Sequence, residues 1–147
     1  MGRIKGNSER GSQKMIRTIK QVAKYVYDTL GPGHEEAIYR DAMSVELQDR
    51  GYTVKTEAPI SIRYKTKKGK EMIVGGAKID LYVIKNDKYA VIELKTVGRI
   101  LKENGKKKKE DTKEYHQLQK YLGALDVETG VLINFPFPPE EEPEIIQ

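Results

Sequence analysis

Residue types that are scarce in this sequence exclude several kinds of site. There is no cysteine, and His34 and His116 are the only two histidines among 147 residues. Disulfide bonds, cysteine-ligated zinc and a histidine-rich metal site are therefore excluded. No apolar run approaches 18 residues, and no basic segment followed by an apolar one opens the chain. We expect a soluble, intracellular protein without a membrane partner, located in the cytoplasm or the nucleus.

Two common catalytic motifs are also missing. No glycine-rich loop is followed by Lys-Ser or Lys-Thr, and Gly31-Pro32-Gly33 lacks the spacing and the preceding strand of a phosphate-binding loop. No serine lies in a nucleophile elbow, and neither histidine has a plausible relay partner. The sequence thus gives no support to P-loop or serine-hydrolase chemistry.

Charge, by contrast, is abundant. Charged residues make up 33% of the chain, the net charge is +5 and the isoelectric point is about 9.2. A basic chain favours a polyanionic partner, although many basic proteins bind no nucleic acid. Lysines cluster in residues 65–70 and again in residues 106–109. Each cluster is interpreted either as a phosphate-binding segment or as an ordinary solvated loop.

The length and the hydrophobic periodicity predict one α/β domain. We expect a disordered N-terminal tail at residues 1–12, a single domain at 13–136 and a mobile, acidic, proline-rich tail at 137–147. The predicted order is helix, helix, three strands, helix, strand. A mixed sheet of about four strands with helices on both faces would bury the apolar stripes of these elements.

The predicted helices differ in how their ends and faces are marked. They run from about Gln13 to Leu30, His34 to Arg50, and Asp111 to Tyr121. In the second helix, Ile38, Ala42 and Val45 are expected to face the core, with Met43 and Leu47 as further candidates. Glu36 and Arg40 are expected to form an i, i+4 ion pair. In the third helix, Asp111 and Glu114 have the spacing of a capping box.

A predicted hairpin organises the candidate site. Residues 79–84 and 89–94 are rich in β-branched and aromatic types, as in strands. If Asn86-Asp87 form a two-residue loop, the register places Asp80 directly opposite Glu93 and on the same face of the sheet.

Such a carboxylate pair has two interpretations. Asp80 and Glu93 would repel each other, and a divalent cation such as Mg²⁺ or Mn²⁺ between them would turn that repulsion into binding. Lys95 lies two residues beyond Glu93, on the same face. Alternatively, all three are solvent-facing charges of an ordinary amphipathic hairpin. The strand Tyr89–Leu94 is apolar on both faces until Glu93, which favours a covered central strand and therefore the cation site.

These residues resemble a known family. Asp80, followed thirteen residues later by Glu93-Leu94-Lys95, resembles the PD-(D/E)XK nuclease signature, with Ile79 in place of the usual proline. Gly33, Glu36 and Tyr39 resemble the GxxExxY motif of one family within that superfamily.

Two later blocks extend the resemblance. Residues 117–122 and 130–135 resemble further blocks of that family, so that the likeness covers roughly residues 16–136. Glu35 stands where the motif often has an apolar residue, and Lys78 stands where an arginine is common. Neither change removes a proposed ligand.

The resemblance implies a restriction-endonuclease-like, three-layer core that hydrolyses phosphodiester bonds of nucleic acid, above all DNA, with Mg²⁺ or Mn²⁺. Asp80, Glu93 and the backbone carbonyl of Leu94 would hold the cation. The cation would bind a phosphate oxygen and lower the pKa of an attacking water. Lys95 would orient that water or stabilise charge. Glu36 would complete a second cation site or hold a water on the cation.

Three further residues each have a functional interpretation and a structural alternative. Gln117 would contact the water or the scissile phosphate, or it is simply a helix-surface glutamine. Tyr39 and Tyr121 would support the site, or they pack in the core. The residues expected to contact nucleic acid are Lys78, Lys106, Lys107, Lys108, Lys109 and Tyr121.

Other functions remain open from sequence. The same fold would also serve as a non-catalytic nucleic-acid-binding module, whose affinity would fall steeply with salt. A protein–protein adaptor that uses the N-terminal helix is a third possibility. A homodimer is plausible, because many nucleases of the implied fold act as dimers.

Overall fold

The five strands of this protein form one mixed sheet. The computed structural model describes residues 2–101 and 108–147. Its elements are α1 Gly2–Leu30, α2 Glu36–Asp49, β1 Thr53–Lys65, β2 Glu71–Lys85, β3 Lys88–Lys95, a 3₁₀ turn Lys109–Asp111, α3 Lys113–Leu125, β4 Thr129–Asn134 and β5 Glu144–Ile146. The strands lie in the order β1-β2-β3-β4-β5. The α/β fold is confirmed, with one strand more than the four expected.

One of the four pairs of neighbouring strands in the sheet is parallel. β1, β2 and β3 pair antiparallel, β3 and β4 pair parallel, and β5 pairs antiparallel with β4. A parallel pair needs a crossover connection, and α3 provides it between β3 and β4.

Helices cover both faces of the sheet. One apolar cluster joins residues of α1 and α2, such as Ile19 and Met43, to Ile92 of β3. A second cluster joins Leu118 of α3 to Val91, the neighbour of Ile92. Because successive strand residues point to opposite faces, the two clusters lie on opposite sides of the sheet. The expected three-layer arrangement is thus present. No helix among the described residues is long and apolar enough to cross a membrane.

The buried face of α2 differs from the expected one. Ile38 and Val45 are 46% and 65% exposed, whereas Tyr39, Met43 and Leu47 are fully buried. The prediction was therefore wrong for Ile38 and Val45, whereas Met43 and Leu47, the further candidates, are confirmed as core residues. The true stripe follows strict i, i+4 spacing, and Tyr39 fixes it by stacking on Phe135 with 4.3 Å between ring centroids.

The ends of α3 also differ from the predicted ones. Thr112, not Asp111, caps the helix, since its Oγ1 accepts a hydrogen bond from the backbone N–H of Tyr115. The helix then continues past Gly123 to Leu125, and Asp126 ends it with a left-handed φ of 55°.

Both chain ends contain more regular structure than expected. The backbone of α1 begins at Gly2, within residues 1–12, for which we expected disorder. The acidic tail contributes β5, and the Glu144 carboxylate accepts hydrogen bonds from the backbone N–H groups of Ile100 and Leu101, both at 2.8 Å. The prediction of a wholly mobile tail was therefore wrong, because strand pairing and these bonds fix its last residues.

Candidate active site

The turn between β2 and β3 sets the register of the site. Asn86 adopts a φ of 55°, a left-handed conformation that asparagine tolerates. Lys85 pairs with Lys88, and the ladder continues to Leu81 and Ile92. This is the register that the sequence predicts, and the ladder ends one position before Asp80 and Glu93.

At Asp80 and Glu93, carboxylate oxygens take the place of backbone carbonyls as hydrogen-bond acceptors. The backbone N–H of Asp80 donates to Oε1 of Glu93 at 3.1 Å, and the backbone N–H of Leu94 donates to Oδ2 of Asp80 at 2.7 Å. The two carboxylates are thereby held against the backbones of neighbouring strands. Each of these bonds uses one oxygen, and a carboxylate can accept at both.

The other side of Asp80 is irregular as well. Glu57 of β1 has a φ of 48°, and it and Asp80 are left unpaired between the pairs Thr56–Leu81 and Ala58–Ile79, although the β1–β2 register is the same on both sides. A positive φ is uncommon for a residue other than glycine, and such strain is often found at functional sites.

At the same position, the side chains of β2 change the face of the sheet to which they point. Ile79 packs in the cluster on the α3 side, whereas Leu81 packs in the cluster on the α1 and α2 side. Two residues separated by one position in a regular strand would share a face. Asp80 therefore occupies the point where the long β1–β2 hairpin changes face, and the sheet opens around its carboxylate.

α2 brings a third carboxylate to this point. Glu36 is the first residue of the helix, where the dipole favours negative charge. Its carboxyl group lies close enough to that of Asp80 for each to affect the pKa of the other. Three carboxyls from three different elements, Glu36, Asp80 and Glu93, thus influence one another electrostatically.

The turn before α2 is held by the tyrosine of the GxxExxY-like segment. Tyr39 Oη donates to the carbonyl of Gly31 at 2.6 Å and accepts from the N–H of His34 at 3.3 Å. Gly33 has a φ of 95°, which strongly favours glycine. Tyr39 is therefore a core residue that anchors the entry to α2, and through it the position of Glu36.

The three carboxyls have raised pKa values. Burial, followed by the charge of Asp80, raises the pKa of Glu93 to about 8. Burial is also the main cause that raises the pKa of Asp80 and of Glu36, and the charge of Asp80 adds to it at Glu36. Lys95 opposes the rise at all three groups. Its ammonium group therefore lies near all of them.

Arg40 has different partners from those expected. Its guanidinium pairs with Asp41 at 3.0 Å and with Glu57 at 3.1 Å, instead of forming the predicted ion pair with Glu36. Its charge still lowers the pKa of Glu36 and of Asp80. Arg40 ties α2 to the irregular position of β1 beside Asp80.

The remaining predicted side chains are placed as follows. Gln117 Nε2 donates to Tyr121 Oη at 2.7 Å, so both lie on one face of α3, and neither is fully buried. Lys78 and Lys108 are exposed. Lys109 donates to the carbonyl of Gln147 at 2.8 Å and lies over the ring of Tyr115. Lys106 and Lys107 lie outside the described residues.

Sequence reasoning missed a clamp behind Lys95. Asn134, paired with Lys95 across the parallel ladder, is fully buried. Its Oδ1 accepts from the N–H of Val97, and its Nδ2 donates to the carbonyl of Gly98 and to Glu144. Together with the bonds of Glu144 to Ile100 and Leu101, this fixes the chain just after Lys95. A buried asparagine at the end of an apolar strand was the available signal.

The chemistry of these groups fits a hard divalent cation. Carboxylate and carbonyl oxygens suit Mg²⁺ or Mn²⁺, and buried carboxyls with raised pKa values are stabilised by added positive charge. In residues 11–101 and 108–147, no group of three or more His, Cys, Asp or Glu is arranged as a metal cage. The set would thus be two carboxylates, a backbone carbonyl and water, as magnesium often accepts.

Comparison with known proteins decides the family. The sequence model of the PD-(D/E)XK nuclease superfamily matches residues 13–146. The chain belongs to the PD-(D/E)XK nuclease superfamily. No curated protein matches this superfamily member.

Solved structures also match this PD-(D/E)XK protein. The crystal structure of SSO0001 aligns with a TM-score of 0.47 and 23% sequence identity, over 76% of this chain and 52% of that one. The chain therefore spans about half the length of the SSO0001 chain.

Proposed function

We propose that this protein is a metal-dependent nuclease that hydrolyses phosphodiester bonds in nucleic acid. DNA is the substrate that we propose for it. The observation that carries the proposal is the pair of hydrogen bonds that holds the carboxylates of Asp80 and Glu93 against each other's strands, where β2 stops pairing with β3. Glu36 and Lys95 are close enough to affect the pKa values of both. This arrangement contributes little to the stability of the fold, because like charges brought together are costly to bury. A functional role therefore explains it better than a structural one.

In the proposed site, Asp80, Glu93 and the carbonyl of Leu94 would hold the cation. A bound Mg²⁺ or Mn²⁺ would supply charge neutralisation at a phosphate oxygen and a water of lowered pKa. Because Leu94 follows Glu93 and its N–H is bound to Asp80, one short segment fixes all three donors relative to each other.

The other residues would act on the water and on the phosphate. Lys95 would stabilise negative charge that develops on the phosphate, or orient the attacking water. Glu36 would accept a proton from that water, or take part in a second cation site. Gln117 would reach the phosphate only by exchanging its bond to Tyr121, and we therefore rank it below the other four.

We further propose that the protein belongs to the GxxExxY family within the superfamily. The support is that each motif residue has a distinct physical role in the turn before α2. Gly33 adopts the positive φ, Tyr39 anchors the turn, and Glu36 enters the acidic cluster.

Cleavage of defined substrates tests the nuclease proposal. Plasmid, single-stranded and branched DNA, with an RNA of the same sequence, would be incubated with Mg²⁺ or Mn²⁺. We expect cleavage that chelation stops, and a loss of at least 100-fold in Asp80→Asn and in Lys95→Gln. Asp126→Asn and Lys113→Gln make the same charge changes on α3 and should cleave normally. Undiminished cleavage in both site variants would overturn the proposal.

Two further results would refine the conclusion. Binding of DNA without cleavage under any metal condition would identify a non-catalytic module on the same fold. A crystal soaked in Mn²⁺ should show anomalous density between Asp80 and Glu93, and density elsewhere would move the site.

A further inference from the structure

The outer half of the β1–β2 hairpin stands apart from the rest of the molecule. We call residues 61–76 the arm. Every residue of the arm except Thr66 is exposed, whereas Ile60 and Ile79, just outside it, are buried. The strands of the arm pair with each other, from Ser61–Gly76 to Lys65–Glu71, and the pairing shifts once between Ile62 and Arg63. The arm is thus a two-stranded ribbon whose two faces are both open to solvent.

The arm carries most of the excess positive charge of the chain. It contains one carboxylate, Glu71, and five cationic side chains, which are Arg63, Lys65, Lys67, Lys68 and Lys70. Its net charge is therefore +4, against +5 for the whole chain. Arg63 and Glu71 form a loose, exposed ion pair at 3.8 Å, so the four lysines around the tip dominate its field.

Large apolar side chains alternate with this charge. Tyr64 and Met72, which are directly opposed, are 58% and 51% exposed, while Ile73 and Val74 are 59% and 62% exposed. Exposed apolar groups of this size on adjacent positions are unusual on a monomeric protein and indicate a binding surface. The surrounding lysines make a polyanion the complementary partner.

The size of the arm suits a nucleic-acid groove. The paired part from Ser61 to Lys65 is about 17 Å long at roughly 3.4 Å per residue. The major groove of B-DNA is about 12 Å wide and about 8.5 Å deep, and it admits a two-stranded β-ribbon. Exposed apolar groups would then contact thymine methyl groups or base steps, and lysines would contact phosphates.

A groove continues from the root of the arm towards α3. Its volume is about 460 Å³, and it is lined by Ile60 and Ile62 of β1 and by Lys120 and Tyr121 of α3, among others. Tyr121 is the residue bonded to Gln117. The arm and the face of α3 that carries Gln117 are thus joined by one surface with positive charge and an aromatic ring.

We propose that the arm binds double-stranded nucleic acid by entering its groove, with the lysines of the tip on the phosphates. This inference rests on the proposed function, because it assigns the form of the substrate: a duplex next to the scissile bond. The arm projects beyond the point at Glu57 and Asp80 where the hairpin changes face. It would therefore hold the duplex at a fixed distance from the carboxylates.

Equilibrium binding in the absence of cleavage tests the arm. All variants would carry Asp80→Asn and would be assayed in EDTA by fluorescence anisotropy with a 30-base-pair duplex and with its single strand. The charge variant changes Lys65, Lys67, Lys68 and Lys70 to Gln. The matched control changes Lys14, Lys20, Lys24 and Lys113 to Gln. An apolar variant combines Tyr64→Ser with Ile73→Ser.

We expect the charge variant to bind duplex at least tenfold more weakly than the control variant. Its slope of log affinity against log salt should be smaller by about 3.6, since each of the four lost phosphate contacts removes about 0.9 from that slope. The apolar variant should lose severalfold affinity for duplex, with its slope unchanged and its single-strand affinity little affected. Circular dichroism checks that each variant is folded.

Other outcomes are distinguishable. Equal duplex affinity in the charge and control variants would overturn the arm proposal, whatever the nuclease assay shows. A loss of self-association in the apolar variant, seen by sedimentation with unchanged DNA binding, would identify the arm as an interface between two copies and also overturn it. Arm-dependent duplex binding in a wild-type chain that never cleaves would keep this inference and refute the proposed function.

Discussion

At the level of single residues, Glu93 shows how the proposed function opposes stability. Its side chain is 6% exposed and its pKa is raised to about 8, first by burial and then by the charge of Asp80. A carboxyl group whose pKa is higher in the folded than in the unfolded state stabilises the fold only while it is protonated. Ionisation at high pH must therefore weaken the protein unless a cation is bound.

Glu93→Gln should separate these two effects. A neutral amide retains an oxygen to accept the N–H of Asp80, but it never becomes charged. In EDTA at pH 8.5, the variant should be more stable than the wild type, by on the order of a few kcal/mol at most. It should also lose cleavage and the stabilisation that Mg²⁺ gives. Thermal unfolding with and without Mg²⁺ measures both, and a destabilised variant at pH 8.5 would contradict the assignment.

Tyr39 provides the second test at this scale. Tyr39→Phe keeps the ring on Phe135 and removes the hydrogen bond to the carbonyl of Gly31. The expected loss of stability is about 1 kcal/mol, the usual net value of such a bond. Because the turn before Glu36 loosens, the cleavage rate should fall by more than the decrease in the folded fraction explains. Tyr25→Phe, on the exposed surface of α1, is the control and should leave both unchanged.

At the level of elements, β5 matters because it holds the segment that follows Lys95. Glu144 accepts the N–H groups of Ile100 and Leu101 and the Nδ2 of Asn134. A charged acceptor with several donors is worth more than an isolated surface interaction. β5 has only three residues, so these bonds, rather than strand length, explain how it stays in place.

Glu144→Ala should therefore release the segment after Lys95. Hydrogen exchange of the Ile100 and Leu101 amides should become at least tenfold faster, because both lose their acceptor. Glu144→Gln keeps one acceptor oxygen and should have a smaller effect. Glu142→Ala is the control on the same tail, since its exposed partner is Lys24. Unchanged exchange in Glu144→Ala would show that the clamp does not hold this segment.

For the whole molecule, the acidic cluster predicts how stability depends on pH. Glu36, Asp80 and Glu93 all have raised pKa values, so the folded state binds more protons than the unfolded one between about pH 4.5 and pH 8. Stability must then fall as pH rises through that window. Mg²⁺ should compensate increasingly as pH rises, because binding displaces protons from the cluster.

Calorimetry or thermal unfolding in EDTA, from pH 5.5 to pH 8.5, checks this prediction. The melting temperature should decrease across the series, and the increase caused by Mg²⁺ should be larger at pH 8.5 than at pH 6. Asp80→Asn should flatten both dependences, whereas Asp126→Asn should not. A melting temperature that rises with pH in the absence of metal would contradict the raised pKa values.

The sequence alone determined much of the fold. The two-residue loop at Asn86-Asp87 fixes the β2–β3 register up to Leu81 and Ile92, and this local chemistry brings Asp80 and Glu93 to the end of the ladder. Period and turn signals likewise predicted the helices and the parallel strand after α3. These features depend on neighbours in the chain, and local propensity therefore suffices for them.

Tertiary structure decided which faces are buried and which groups meet. Ile38 and Val45 have the same apolar character as the buried residues of α2, and only the stacking of Tyr39 on Phe135 selects the face. The clamp by Glu144 joins residues more than forty positions apart. The change of face of β2 at Asp80 coincides with the positive φ of Glu57 on the neighbouring strand. Such contacts depend on long-range packing, which no local pattern encodes.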